Sequence, residues 1–274
     1  MKILVTGSNG YIGKHLCKML DGKYEVHGLD IHKESHSDYV KTYYQIDIDE
    51  KFQLYEEFDC VIHLAALVRV GESVKQPTRY YKTNIIGTSN VILGTYYKNF
   101  IFGSTGAAAT PTSPYAISKL KAEENVKEHC EERNIPYTMF RFYNVTGTDG
   151  FPATNPDGLF FKLNEAVKTG EFNIYGGDYD TPDGTPIRDY VHVNEICDAL
   201  MQAIEKPSNN IENLGHGRGY SVKEIVETFK KVNNVDFKTN IRERREGDPP
   251  KNILDSVSTY MNNMYTLEDY MKIY

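Results

Sequence analysis

The 274-residue chain has no tryptophan, only four cysteines, and no surplus of positive charge. Each scarcity excludes something. Cys17, Cys60, Cys130 and Cys197 lie far apart, in no CxxC or Cys/His ligand spacing. Neither a disulfide framework nor a zinc site is therefore expected, and no metal of any kind. Cys17 and Cys60 sit inside apolar patterns and read as small buried hydrophobes. Basic residues number 31 against 38 acidic, a net charge of −7, and the one basic cluster, 242–245, is broken by Glu243. Nucleic acid is a poor partner for such a chain. No apolar run approaches the roughly 20 residues of a membrane helix. The opening segment, 1–7, reads as a strand running into a glycine turn and lacks the pattern of a signal peptide. Reduced thiols and no export signal point to the cytoplasm. The missing tryptophan, set against 21 Tyr and 12 Phe, carries no functional reading.

What is present is the composition of a globular protein, 40% hydrophobic and 25% charged, with mean hydropathy −0.52. At this size one large domain, or a large domain with a smaller lobe, folds without staples. Strand-like and helical runs alternate through the first half. Strands are expected at Lys2–Thr6, 24–29, 44–46, 60–64, 99–103 and 137–145, and helices at Tyr11–Leu20, 77–97 and Pro114–Arg133. That rhythm implies right-handed crossovers and a parallel sheet covered on both faces, an α/β doubly wound fold. After Asn144 the rhythm breaks, and Gly- and Pro-rich stretches (147–158, 176–186) separate single helices. The expected division is 1–142 plus 187–206 for the sheet domain and 143–186 plus 207–274 for a smaller C-terminal lobe.

Gly7-Ser8-Asn9-Gly10-Tyr11-Ile12-Gly13 is a GxxGxxG motif directly after a strand and at the start of a helix. The first glycine permits a tight turn, the second lets a pyrophosphate approach the backbone, and the third lets helix and strand pack closely. The phosphates then sit at the positive helix N-terminus. Asp30, some twenty residues on at a strand end, can hold a ribose 2′-hydroxyl and would repel a 2′-phosphate, which favours NAD over NADP. Asp47 and Ile48 follow the third strand, where they could hold the adenine. The competing reading is a structural glycine turn beside a surface aspartate.

Tyr115 and Lys119 stand one turn apart on one helix face, with Ser113 as candidate N-cap and Pro114 at the first helical position. A tyrosine titrates near 10 and is a poor base at neutral pH. A lysine ammonium beside it, with the positive nicotinamide ring, would favour the phenolate. YxxxK alone is common as a surface pair. Here the preceding strand ends in Ser104-Thr105, which brings a hydroxyl to the carboxyl edge of the sheet, where ligands bind in such folds.

With those motifs the chain resembles the extended short-chain dehydrogenase/reductases, in particular their UDP-galactose (UDP-glucose) 4-epimerase group. The resemblance runs along essentially the whole chain: LVTGSNGYIGKHL at 4–16, VIHLAA at 61–66, VGES at 70–73, YYKTNIIGT at 80–88, NFIFGST at 99–105, SPYAISKLKAEE at 113–124, RFYNVTG at 141–147, IYGGDYDTPDGTPIRDYVHV at 174–193 and RREGDPP at 244–250. It implies a Rossmann-type sheet with a substrate lobe. Tyr115 is then the base, Lys119 its partner and ribose ligand, and Thr105 the hydroxyl that orients the sugar's O4, with Ser104 beside it. Asn9, Tyr11 and Ile12 of the glycine turn, Leu64, Ala65, Ala66 and Asn84 would line the NAD groove. Asn144 would contact the nucleotide sugar's phosphates, Arg188 and Arg245 would clamp them in bidentate fashion, and Asp248 and Asn252 would complete the sugar site. The implied reaction is a closed redox cycle. The phenolate removes the proton from the 4-hydroxyl while hydride passes from carbon 4 to NAD, the 4-keto sugar turns over, and hydride returns to its other face. The resemblance also implies a homodimer through the helices at 77–97 and 114–133.

Some positions depart from the group's pattern. Val68, with Arg69 next to it, stands where a cofactor-contacting Lys is common, and Gly158 where an Asn often touches the diphosphate. The stretch between Thr105 and Tyr115 is shortened to a Gly-Ala-Ala-Ala turn, and a second saving falls between Asp30 and Asp47. Asn252 falls where many members place a bulky Tyr, so room for an N-acetyl group, and with it use of UDP-GlcNAc and UDP-GalNAc, is expected. Three rivals remain open. A 4,6-dehydratase would need an acid and a base after Thr105, where Gly106, Ala107 and Ala108 stand; the others are a 4-keto-sugar reductase and a non-catalytic NAD(H)-sensing scaffold.

Overall fold

Ile3, Leu4 and Val5, Val61 and Ile62, and Phe100, Ile101 and Phe102 are all fully buried, as a sheet packed on both faces requires. The computed structural model describes residues 1–244, 248–262 and 265–273. In chain order its elements are β1 (Lys2–Thr6), α1 (Tyr11–Leu20), β2 (Glu25–Asp30), β3 (Thr42–Gln45), β4 (Glu57–Phe58), β5 (Cys60–His63), α2 (Val70–Lys75), α3 (Pro77–Tyr81), a π-helical turn Lys82–Ile86, α4 (Gly87–Gly94), β6 (Tyr96–Tyr97), β7 (Phe100–Thr105), α5 (Pro114–Arg133) and β8 (Tyr137–Phe142). These are followed by β9 (Asn144–Thr146), α6 (Leu159–Thr169), β10 (Glu171–Tyr175), β11 (Ile187–His192), α7 (Val193–Glu205), β12 (Ile211–Leu214), β13 (Gly219–Ser221), α8 (Val222–Asn233), β14 (Lys238–Arg242), β15 (Lys251–Asn252) and α9 (Leu267–Tyr270).

The chain divides into two compact units, Met1–Phe142 with Cys197–Glu212, and Tyr143–Ile196 with Asn213–Tyr274. The first holds most of a seven-stranded sheet ordered β12-β8-β7-β5-β1-β2-β3. The strands from β8 to β3 pair in parallel. The chain moves outward from β1 to β3, then returns past β1 to β5 and continues on the other side. That reversal opens a crevice outside the carboxyl ends of β1 and β5, where ligands bind in doubly wound sheets. The doubly wound fold expected from the sequence is therefore the observed one.

The second unit is built around β11, which pairs in parallel with β9 and β15 and antiparallel with β13. For that reason residues 187–196 lie with this unit, whereas the sequence reading put 187–206 with the sheet. Phe160, Leu163, Phe172, Ile174, Ile225, Phe229 and Phe237 fill its core. Asp189 is buried at its centre and accepts the amides of His216 and Gly217 (2.8 Å each) and Leu254 (3.2 Å).

Two expected elements come out differently. The helix expected at 77–97 is three segments, α3, a π turn and α4, ending at Gly94, where an added Cβ would stand 2.6 Å from the Phe52 carbonyl oxygen. The strand expected at 137–145 splits at Tyr143, whose amide bonds to Leu214 O (3.1 Å) while Asn144 pairs with Tyr190 of β11. Pro114–Arg133 forms as expected, with Ser113 Oγ accepting from the Ala116 amide (3.2 Å) and Pro114 in the first turn. All four cysteines are free and buried. Among the described residues no helix is long and apolar enough to cross a membrane.

A buried polar chain holds the carboxyl edge together. Thr88 Oγ1 donates to Asn84 O (2.7 Å), so the His63 Nε2–H donates to Thr88 Oγ1 (3.0 Å). Nδ1 of His63 then accepts from Thr6 Oγ1 (2.6 Å), a tautomer assigned from the network. One imidazole thereby links β1, β5 and α4. Burial, with the Lys119 charge adding to it, pushes His63 from 6.5 down to about 3. Between those values the unfolded chain binds a proton that the folded imidazole does not, so this group's contribution to stability falls as pH drops from about 6.5 toward 3. Urea unfolding of His63→Gln at a series of pH values is expected to show a flatter acid slope than the parent; an unchanged slope would contradict this account.

Candidate functional site

The glycine turn is shaped by close approach. Gly7 has φ +70°, and a Cβ there would stand 2.8 Å from the Ala65 amide nitrogen. At Gly13 a Cβ would lie 2.2 Å from Gly7 O, so only glycine lets α1 sit this near the turn. The helix starts after Gly10 with no side-chain cap and no acidic residue in its first turn, where Tyr11 and Ile12 stand. A helix N-terminus with no capping side chain and no acidic residue is a favourable place for an anion. Leu64, Ala65 and Ala66 run half-buried from the end of β5 past this turn.

At the end of β2, Asp30 is buried and accepts the Asn9 amide (3.0 Å) on one oxygen and His32 Nδ1 (2.6 Å) on the other. The Asn9 side chain braces the following loop, donating to Glu34 O (2.9 Å) and accepting from the His36 amide (2.7 Å). A bare glycine turn, a helix terminus without a cap and a carboxylate at the neighbouring strand end fit a dinucleotide's pyrophosphate and ribose. Asp47 is exposed and accepts the Asp49 amide (2.9 Å). Ile48 is buried beneath Gly87, and its carbonyl accepts from Asn90 Nδ2 (2.8 Å). Asn84, in the π turn, clasps the Leu67 backbone through both side-chain atoms (2.9 Å each) and donates to Ser118 Oγ (2.9 Å). Ser118 in turn donates to Tyr115 O (2.7 Å). Its side chain is committed to bracing the turn after β5 against α5. Val68 is exposed, and Arg69 pairs with Glu72 (3.5 Å).

Thr105 ends β7 and caps a short 3-10 turn, Gly106–Ala109, accepting from Ala107 N (3.3 Å). Its hydroxyl also bonds to Tyr115, which is buried with Tyr80 edge-on at 6.4 Å. Burial pushes Tyr115 up to about 12, with the Thr105 bond acting the other way. The lowering expected from Lys119 is not found. The reason is where the ammonium goes: Nζ donates to Gly103 O (2.6 Å) and lies 4.1 Å from the centre of the Phe102 ring. Burial pushes Lys119 down to about 7, partly offset by Glu123. Ser104 is buried, and its hydroxyl donates to Glu123 (2.5 Å).

The remaining predicted residues belong to the second unit. Asn144 donates from Nδ2 to Asp189 O (2.8 Å). Arg188 forms an ion pair with Asp248 (2.5 Å) and donates to its neighbour's carbonyl, Ile187 O (2.8 Å). Asn252 of β15 lies directly across from Arg188 in the parallel register. Arg245 lies outside the described residues.

Sequence reasoning passed over His63, Ser118, Glu123 and Arg141. Glu123 had a signal: Tyr115, Lys119 and Glu123 form one i, i+4 stripe. His63 had none, since a histidine inside VIHLAA reads as a core residue until its two threonine partners are seen.

Comparison with known proteins bears on this site. A family profile described as NAD dependent epimerase/dehydratase matches residues 3–215. UDP-glucose 4-epimerase of Halalkalibacterium halodurans is 34% identical over 293 residues, covering 93% of this chain and 87% of that protein. Among solved structures, UDP-glucose-4-epimerase from Stenotrophomonas maltophila with bound NAD and formylated UDP-arabinopyranose superposes with TM-score 0.88 at 26% identity, over 99% of this chain and 96% of the other. The UDP-Glc/GlcNAc 4-epimerase from Campylobacter jejuni gives 0.80 at 30% identity, over 97% and 95%.

Proposed function

The chain belongs to the NAD dependent epimerase/dehydratase family, and from that premise we propose that it is an NAD-dependent 4-epimerase of UDP-hexoses. The observation that carries this reading is the grouping of Tyr115, Thr105 and Lys119 in the unit that also holds the glycine turn and Asp30.

NAD, when bound, supplies the acceptor and donor for the hydride at the sugar's carbon 4. The amides opening α1 bind its pyrophosphate, with Gly7, Asn9, Gly10, Tyr11, Ile12 and Gly13 forming the cradle. Asp30 takes the ribose hydroxyls and repels a 2′-phosphate, which selects NAD over NADP. Asp47 and Ile48 stand at the adenine end, and Leu64, Ala65, Ala66 and Asn84 line the groove. Tyr115 takes the proton from the 4-hydroxyl and later returns it, so its phenol must lose a proton that burial makes it retain. A positive charge would lower that cost: the nicotinamide ring of bound NAD would supply it, together with the Lys119 ammonium one turn along α5, which in this structure is turned to Gly103 O and does not lower Tyr115 by itself. Thr105, already bonded to Tyr115, orients O4, with Ser104 behind it. The keto sugar turns over about its diphosphate, which Arg188 holds in a fork with Asn144 and Arg245, while Asp248 sets the Arg188 guanidinium. Asn252, next to Arg188 across the strand pair, leaves room at the sugar's 2-position, so N-acetylated UDP-hexoses are accepted too.

Ile86 and Leu93, two turns apart, and Ile117 of α5 stand 53%, 63% and 38% exposed. Apolar residues on these segments support a homodimer joined through them; a solution mass equal to the 31.3 kDa chain would contradict it. Four free buried thiols suit the cytoplasm.

Proton NMR of UDP-galactose and UDP-N-acetylgalactosamine, each incubated with the protein and no added NADH, is expected to show the gluco epimer in both tubes. No change in either contradicts the epimerase reading, and turnover of UDP-galactose alone contradicts the N-acetyl extension. In a parallel incubation with NADH added, its stoichiometric consumption would indicate a reductase. Tyr115→Phe is expected to lose about 10²–10⁴-fold in turnover while still binding NAD.

A further inference from the structure

Behind Lys119 lies a buried charge cluster that the proposed reaction does not use. Glu123 is 2% exposed, and its carboxylate receives Arg141 in a two-point fork, Nε to Oε1 at 2.9 Å and an η nitrogen to Oε2 at 2.6 Å. Oε1 also takes the Ser104 hydroxyl at 2.5 Å. Ser104 sits between Gly103, whose carbonyl accepts the Lys119 ammonium, and Thr105, whose hydroxyl bonds to Tyr115. On α5, Glu123 follows Lys119 by one turn, as Lys119 follows Tyr115. A tie between α5 and β8 alone would need only the fork; the third bond goes to the strand that carries both partners of the Tyr115–Lys119 pair.

We propose that Glu123 is a positioning residue for the reaction: held by Arg141, its carboxylate fixes Ser104, and with it the end of β7, and keeps Lys119 a cation beneath Tyr115. This rests on the epimerase reading for its consequence in catalysis, but not for its electrostatics. The titratable groups around Lys119 are Tyr115 and Glu123 on its own helix and His63 on β5; β7 contributes none, Arg141 of β8 stands behind Glu123, and Tyr80 of α3 abuts Tyr115. Of these, Glu123 is the negative charge that raises Lys119 against its burial. Without the carboxylate, Lys119 gives up its proton at a lower pH and the phenolate loses its counter-charge at the upper end of the working range.

The test follows the Lys119 ε-carbon signal by NMR through a pH titration of purified protein carrying 13C-lysine, the signal being assigned by its loss in Lys119→Met. In Glu123→Gln, which keeps an acceptor for Ser104 but removes the charge, the midpoint is expected to fall by about one unit. The alkaline limb of kcat for UDP-galactose moves down with it, with KM changed less than kcat. A merely structural role predicts the reverse, because loosened packing hydrates Lys119 and raises its midpoint. A midpoint that rises or stays put in Glu123→Gln overturns the proposal. Should that variant not fold, Glu123→Gln combined with Arg141→Gln leaves no unpaired buried charge, and the midpoint is again expected to fall. Parent protein that turns over no UDP-sugar would defeat the epimerase reading alone, since the lysine titration still decides the inference.

Discussion

The Lys119 ammonium, buried against the Phe102 ring and donating to Gly103 O at 2.6 Å, joins helix α5 to strand β7. Burial in such a place disfavours the charged form and brings Lys119 down to about 7. Much of the surrounding arrangement makes that location tolerable. The carbonyl and the aromatic face solvate the ammonium, and Glu123 opposes the loss of its proton. With Lys119 anchored, Tyr115 one turn earlier has its place beside Thr105. The pairing of Tyr115 and Lys119 is thus made through the strand that both touch rather than through a direct contact.

The sheet topology supplies the other half of the arrangement. Reversal of strand order between β1 and β5 opens the crevice, and the glycine turn fills its floor so closely that a single methyl at Gly13 would overlap Gly7 O. The polar chain Thr6–His63–Thr88–Asn84–Ser118 then runs from the end of β1 to the carbonyl of Tyr115. Its members are fully buried and satisfied within it, which is the condition under which such networks stiffen a core. The π turn at Lys82–Ile86 is where this chain crosses the helix, and π turns are frequent at functional sites.

Much of this was legible in the sequence for physical reasons. Continuous β-branched and aromatic runs admit few alternatives to a doubly covered sheet, and Tyr11–Leu20 and Pro114–Arg133 carry their own start signals, glycine turn and Ser-Pro cap, so their bounds could be read directly. The glycine spacing and Asp30 have meaning only after a strand and before a helix, a context that local pattern supplies. What escaped depends on long-range partners. Nothing near residues 82–86 announces a π turn, and the partner that Asn84 clasps from within it, Leu67, is 17 residues away. Ser104 looked like a substrate contact from its place at a strand end, yet its hydroxyl is taken by Glu123. The effect of Lys119 on Tyr115 was expected from helical spacing alone, and spacing does not say which way an ammonium turns. The limits of β11 within the second unit likewise follow from strand pairing, which periodicity cannot reveal.

The central claim is that the redox cycle closes within one active site, with the hydrogen that leaves carbon 4 returned to carbon 4. UDP-galactose carrying deuterium at carbon 4, incubated in ordinary water with added unlabelled NADH, tests it directly. The account predicts UDP-glucose that retains the deuterium at carbon 4. Product in which that deuterium has been lost to solvent or exchanged with the added cofactor would contradict it.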